Sequence, residues 1–208
     1  MKKYTNKKLL ILGGVPMLEE MVTYAQDNGA YVIVADYNEK SACKELSDEA
    51  WLVSTADTDT LAKMCLENNV NGVISGFDDF NIRCCRLLCD RIGLPFYATM
   101  PQIEKTLDKS NFKELCRLNN VPTTPLVEYK LGVNKISFPV IVKPVDGSGN
   151  RGITICYSKE ELNNAITYAK SISKKNKLII EEYIVGPEVG INYYLQDGDI
   201  VLSAMHDR

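Results

Sequence analysis

The stretch Phe138 to Cys156, FPVIVKPVDGSGNRGITIC, constrains the possible folds of this chain more than any other. Val140, Ile141 and Val142 form one β-branched run, and Ile153, Thr154 and Ile155 form a second. The residues between them therefore read as the tip of an antiparallel hairpin. Gly147, Ser148, Gly149, Asn150, Arg151 and Gly152 have the spacing G-x-G-x-x-G of a dinucleotide fingerprint. That fingerprint needs a helix directly after the glycines, whose N-terminus receives a pyrophosphate, whereas here a strand pattern follows. A six-residue tip with three glycines is longer than an ordinary hairpin needs. With backbone N–H groups free and Lys143 at its base, it suits lying over the phosphates of a nucleotide.

The remaining composition narrows the function classes. The 208 residues are 45% hydrophobic and 25% charged, which fits a globular chain of one large or two modest domains. A formal charge of −3 argues against a nucleic-acid surface, which needs clustered Lys and Arg. The densest basic patch, Lys174, Lys175 and Lys177, reads as a solvated loop. No apolar run approaches the roughly 20 residues of a membrane span. The basic N-terminus leads into too few apolar residues for a secretory signal, so the expected address is cytoplasmic. Seven cysteines include no C-x-x-C pair, and His206 is the single histidine, so the thiols read as reduced packing residues.

The first hundred residues alternate strand and helix patterns. Lys8 to Leu12 and Tyr31 to Ala35 read as buried strands flanking a helix from Leu18 to Asp27. Ala50 to Val53 and Val70 to Ser75 supply further strands, with helices over Asp59 to Asn68 and from Asp78 or Asp79 through Cys89. Gly93 to Tyr97 reads as a short final strand. This order is the βαβ signature of a parallel sheet, and residues 1–100 are expected to form a Rossmann-like domain. Ligands of such sheets sit beyond the carboxyl ends of the strands, where Gly13, Gly14, Asp36, Asp78 and Asp79 fall. These five are candidate substrate residues, although turns and caps select Gly and Asp on their own account. Gly13 and Asp36 would also be the glycine and ribose carboxylate of an NAD site, but the run GGVPML lacks the third glycine.

From Pro101 onward the pattern changes. Short helices over Gln102 to Leu107 and Asn111 to Asn119 flank a cap at Asp108 to Ser110. After the glycine hairpin, Ser158 and Glu161 form a capping box that opens a helix carrying Leu162, Ile166 and Ala169. A strand at Leu178 to Ile180 leads into EEYIVGPE, and Val189 to Leu195 and Ile200 to Met205 pair around Asp197, Gly198 and Asp199.

Lys109, Lys143, the glycine loop and the acidic run 181–188 follow one another in the order that resembles the ATP-grasp superfamily, the fold of carboxylate-amine ligases and the carbamoyl phosphate synthetase large subunit. The resemblance covers the whole chain, and EEYIVGPE is its most specific piece. It implies an α/β Rossmann-like domain at 1–100, a small α+β lobe with hinge at 101–184, and the opening of a large lobe at 185–208. Lys109 and Lys143 would reach the α and β phosphates of ATP, a task that suits ammonium point charges. Gly147, Ser148, Gly149 and Gly152 would cover those phosphates. Glu181 would lie near the adenine amino group, the backbone of Glu182 and Ile184 would read the purine edge, and Glu188 would accept the ribose hydroxyls.

The activity implied is activation of a small-molecule carboxylate as an acyl phosphate, which an amine then attacks. Its Mg²⁺ ligands are expected beyond residue 208, so the chain is expected to bind ATP with little turnover. An exposed half-sheet at 189–205 could pair with another copy or be disordered. A non-catalytic nucleotide-binding module and a Rossmann dinucleotide binder are the rival readings.

Overall fold

The computed structural model describes residues 2–128 and 136–207 and shows an α/β protein of two compact units, Met1–Phe112 and Lys113–Arg208. The first is built on a parallel sheet of β1 (Lys8–Leu12), β2 (Tyr31–Ala35), β3 (Glu49–Trp51) and β4 (Gly72–Ser75), in the order β3-β2-β1-β4. Leu10, Leu12, Ile33 and Ala35 point to one face of that sheet, and Ile11, Val32 and Val34 to the other. Both faces are covered, which is why these strands read as unbroken apolar runs. Helices α1 (Glu19–Asp27) and α2 (Ala42–Leu46) supply Val22, Ala25 and Cys43 to one side. Helices α3 (Thr58–Glu67) and α4 (Asp79–Ile92) supply Leu61, Cys65, Cys85, Leu88 and Cys89 to the other. Asp57 and Asp78 cap α3 and α4 through their carboxylates.

Three local expectations change. The sequence reading placed no helix at α2, whose five residues are too short to show a period. The third strand is Glu49–Trp51 rather than 50–53. No strand forms at 93–97: Gly93 closes α4 in the left-handed conformation, Leu94 N–H donates back to Cys89 O, and the Leu94 and Phe96 side chains pack on the core. Pro95 has no N–H to offer a ladder.

All seven cysteines are free and buried. Burial pushes the Cys65 thiol from its ordinary 9.0 up to about 12. Such a thiol is protonated in the folded state and ionises more easily when unfolded. Its stabilising contribution is therefore complete below about pH 9 and lost as pH rises toward 12. The urea midpoint of the chain is expected to hold level to about pH 8.5 and fall above it. In the same samples iodoacetamide should label none of the cysteines until denaturant is added.

Helix α5 (Met100–Leu107) lies in the first unit, and α6 (Lys109–Leu118), capped by Asp108, spans the boundary. The second unit holds an antiparallel sheet of β5 (Val140–Pro144), β6 (Thr154–Cys156) and β7 (Leu178–Glu182), ordered β6-β5-β7. Helix α7 (Lys159–Ile172), capped by Ser158, packs Leu162, Ala165 and Ala169 against Val140, Val142, Cys156 and Ile180. Alternation along β5 and β7 then places Ile141, Lys143, Ile179 and Glu181 on the opposite face.

A hairpin of β8 (Val189–Gln196) and β9 (Asp199–Asp207) turns through Asp197 and Gly198, both with positive φ. Its register, shifted once between Asn192 and Tyr193, puts Val189, Ile191, Tyr193, Leu195, Ile200, Leu202 and Met205 on one face. All seven are exposed.

Candidate functional site: a lysine-glutamate cluster beside a glycine lid

Lys143 stands opposite Ile179, and Glu181 opposite Ile141, so the two charged side chains are diagonal neighbours on the face of the sheet not covered by α7. Lys143 Nζ donates to Glu181 Oε2 at 2.7 Å. Glu181 Oε1 is held by Lys113 Nζ at 2.6 Å. The Glu181 side chain is 5% exposed, that of Lys113 12% and that of Lys143 25%. Two ammonium groups around one carboxylate leave this cluster with one net positive charge.

The α6 lysine that reaches Glu181 is Lys113, one turn beyond the Lys109 singled out from sequence; Lys109 opens the helix. Four-residue spacing puts both on one helix face, and that spacing was the available signal. Lys113 also donates to Thr124 O at 2.6 Å.

The four lid positions divide by role. A Cβ on Gly147 would sit 2.5 Å from Pro144 Cγ, and one on Gly152 would meet Pro144 and Ile172 at 3.0 and 3.1 Å. Those glycines let the loop return close to the end of β5. Gly149, with φ +61 and nothing within 4 Å, lies at the exposed tip beside Ser148. Gly147→Ala is accordingly expected to lower the melting temperature of the chain more than Gly149→Ala, as read by circular dichroism.

In the run 181–188, Glu182 N–H donates to Pro125 O. The Ile184 N–H donates to no group among the described residues, and Ile184 and Glu188 are exposed.

In the first unit a cleft of about 770 Å³ opens beyond the carboxyl ends of β1, β2 and β4, lined by Gly13, Gly14, Asp36 and Asp78 among others. It lies where the strand order reverses, the usual crevice of such sheets. Asp36 does not point free into it: its two carboxylate oxygens accept the N–H groups of Gly14 at 2.8 Å and Asn38 at 2.7 Å. A ribose diol would compete with both bonds. Asp78 accepts from Phe80 N–H and Asn81 Nδ2, and Asp79 is the exposed first residue of α4. Sequence reasoning missed Ser41 and Asn81, which line the cleft and whose Oγ and Oδ1 are buried with no partner among the described residues. Gly14 is needed beside Ser41, since a Cβ there would lie 2.2 Å from its Oγ.

The lysine–glutamate sheet face, the glycine loop and the run 181–188 all lie in the second unit, and residues 136–208 match the family model of the ATP-grasp domain. The chain is similar to the formate-dependent phosphoribosylglycinamide formyltransferase of Prochlorococcus marinus subsp. pastoris, 25% identical over 193 residues, 88% of this chain and 49% of that one. In fold it matches N5-carboxyaminoimidazole ribonucleotide synthetase from Thermotoga maritima, TM-score 0.74 at 21% identity, covering 97% of this chain and 53% of that one. It likewise matches the biotin carboxylase domain dimer of Hydrogenobacter thermophilus 2-oxoglutarate carboxylase, crystallised with MgADP, ADP and bicarbonate, TM-score 0.77 at 24% identity, covering 97% and 50%. The chain spans about half the length of the curated relatives it matches.

Proposed function

We propose that this chain is the ATP-binding portion of an ATP-grasp ligase that activates a carboxylate as an acyl phosphate for attack by an amine or similar nucleophile. The observation that carries this reading is the Lys113–Glu181–Lys143 cluster on the uncovered face of the lid-bearing sheet. Lys143 would meet the α and β phosphates, with Lys109 as the second lysine that the resemblance implies. Ser148 and Gly149 would close over the phosphates, while Gly147 and Gly152 shape the loop. Glu181 keeps lone pairs for the adenine amino group even with both lysines in place. With the Glu182 N–H already taken, its carbonyl together with the Ile184 N–H offers the acceptor and donor that a purine edge requires. Glu188 would accept the ribose hydroxyls.

The cleft of the first unit is proposed as a substrate subsite, with Gly13, Gly14 and Asp78 joined by Ser41 and Asn81. The unpartnered Asn81 Oδ1 is an acceptor and favours a ligand that presents an N–H or O–H. Mg²⁺ would accompany the triphosphate. Among the described residues no group of three or more His, Cys, Asp or Glu could hold a metal, so no residue is assigned to it. Residues 101–184 would act as small lobe and hinge, and 185–208 as the start of the large lobe. No helix among the described residues is long and apolar enough to cross a membrane. A cytoplasmic address and small-molecule substrates remain part of the proposed reading.

Calorimetric titration of the 208-residue chain with ATP, ADP and NAD tests the reading. ATP and ADP are expected to bind and NAD to give no heat, with no sustained ADP release from ATP. Binding of NAD without ATP would move the nucleotide site to the first unit, and turnover by this chain alone would show that it holds more of the catalytic groups than proposed.

A further inference from the structure

Lys113 and Lys143 contact the same carboxylate but are held differently. The Lys113 ammonium is fixed on two sides, by Glu181 Oε1 at 2.6 Å and by Thr124 O at 2.6 Å. Its anchor is itself tied to β7, because Glu182 N–H donates to Pro125 O and Val127 N–H to Ile180 O. Lys143 has one partner among the described residues, Glu181 Oε2, and its side chain is twice as exposed. An ammonium carries three donors, so Lys143 has N–H groups left over and Lys113 is largely committed.

The charges explain why two lysines are needed. Glu181 is buried, and an unpaired buried carboxylate is costly, so it takes whatever cation is in reach. Were Lys143 the only one, the pair would be neutral and would hold little attraction for an anion. With Lys113 also on Glu181, one positive charge remains, and it resides on the more accessible of the two ammoniums.

Resting on the ATP-binding reading, we propose that Lys113 is a positioning residue. It neutralises Glu181 from the buried side so that Lys143 keeps its charge and its spare donors for the nucleotide phosphates. Lys113 itself need not touch the nucleotide.

The test is the ratio of ATP affinity to adenosine affinity, measured by calorimetry on the 208-residue chain for wild type, Lys113→Met, Lys113→Gln, Lys113→Arg and Glu181→Gln. Removing one nearby charge from a partly solvated site is expected to lower that ratio about tenfold in Lys113→Met and Lys113→Gln. Arginine keeps the charge and should restore most of it. Glu181→Gln acts in the opposite sense: with the carboxylate gone, the ratio should rise. A merely structural Lys113 would weaken ATP and adenosine alike and leave the ratio unchanged, which would overturn the proposal. So would a ratio that falls in Glu181→Gln, a result that decides the matter even where the Lys113 variants do not fold. Wild-type protein that binds no ATP would instead remove the underlying reading, a result distinct from ATP binding with an unchanged ratio.

Discussion

Lys143→Ala is expected to weaken ATP binding by at least about thirtyfold, the largest effect of any single substitution at the site. Charge-assisted hydrogen bonds are worth ~1.5–3 kcal/mol, and each ~1.4 kcal/mol is tenfold in affinity. Lys143 offers more than one donor to a polyphosphate, because Glu181 occupies only one of them among the described residues. The substitution should not unfold the chain. Lys143 lies on the face opposite the α7 core, and Lys113 remains to pair Glu181. Calorimetry with ATP, alongside a circular-dichroism melt, separates the two effects. Unchanged ATP affinity in a folded variant would mean that the nucleotide lies elsewhere.

The second large effect concerns the β8–β9 hairpin. An isolated two-stranded sheet is marginal in water, yet this one carries seven exposed apolar side chains on a single face. Each leaves on the order of 100 Å² accessible, so together they come close to the ~800 Å² that each partner contributes to a standard interface. A surface of that size associates unless something covers it. The 208-residue chain is therefore expected to self-associate through this face, two copies packing sheet on sheet. Sedimentation velocity at about 10–100 µM should show dimers or larger species for wild type and monomer for the double variant Ile191→Glu, Leu202→Glu. Persistent association of that variant would place the contact elsewhere. A wild-type chain that stays monomeric throughout would show that the face is satisfied within the chain itself.

Much of the fold was legible because its signals are local. The apolar runs at Lys8–Leu12 and Tyr31–Ala35 read as buried strands, and Asp78 and Ser158 announce the helices they cap. The expected strand at 93–97 failed because apolar content says nothing about ladder donors, and Pro95 removes one. Asp36 was legible as a residue at a strand end, but not as a latch whose oxygens are already engaged by Gly14 and Asn38. Ser41 and Asn81 left no sequence signal, because an unsatisfied buried atom is a property of its surroundings.

The lid shows the same division. By itself the sequence determined that 147–152 joins two antiparallel strands rather than opening a helix, which turned its glycine spacing away from a dinucleotide fingerprint. The family resemblance added the expectation that lysines and a glutamate would be near at hand. The tertiary structure decided which of them meet. Lys143 and Glu181 are 38 residues apart and come together only through the β5–β7 register. Lys113 and Lys109 share a helix face, and it is Lys113 that the fold brings onto Glu181. Periodicity says which face a side chain occupies; only the pairing of distant strands and the seating of a helix say what stands opposite it.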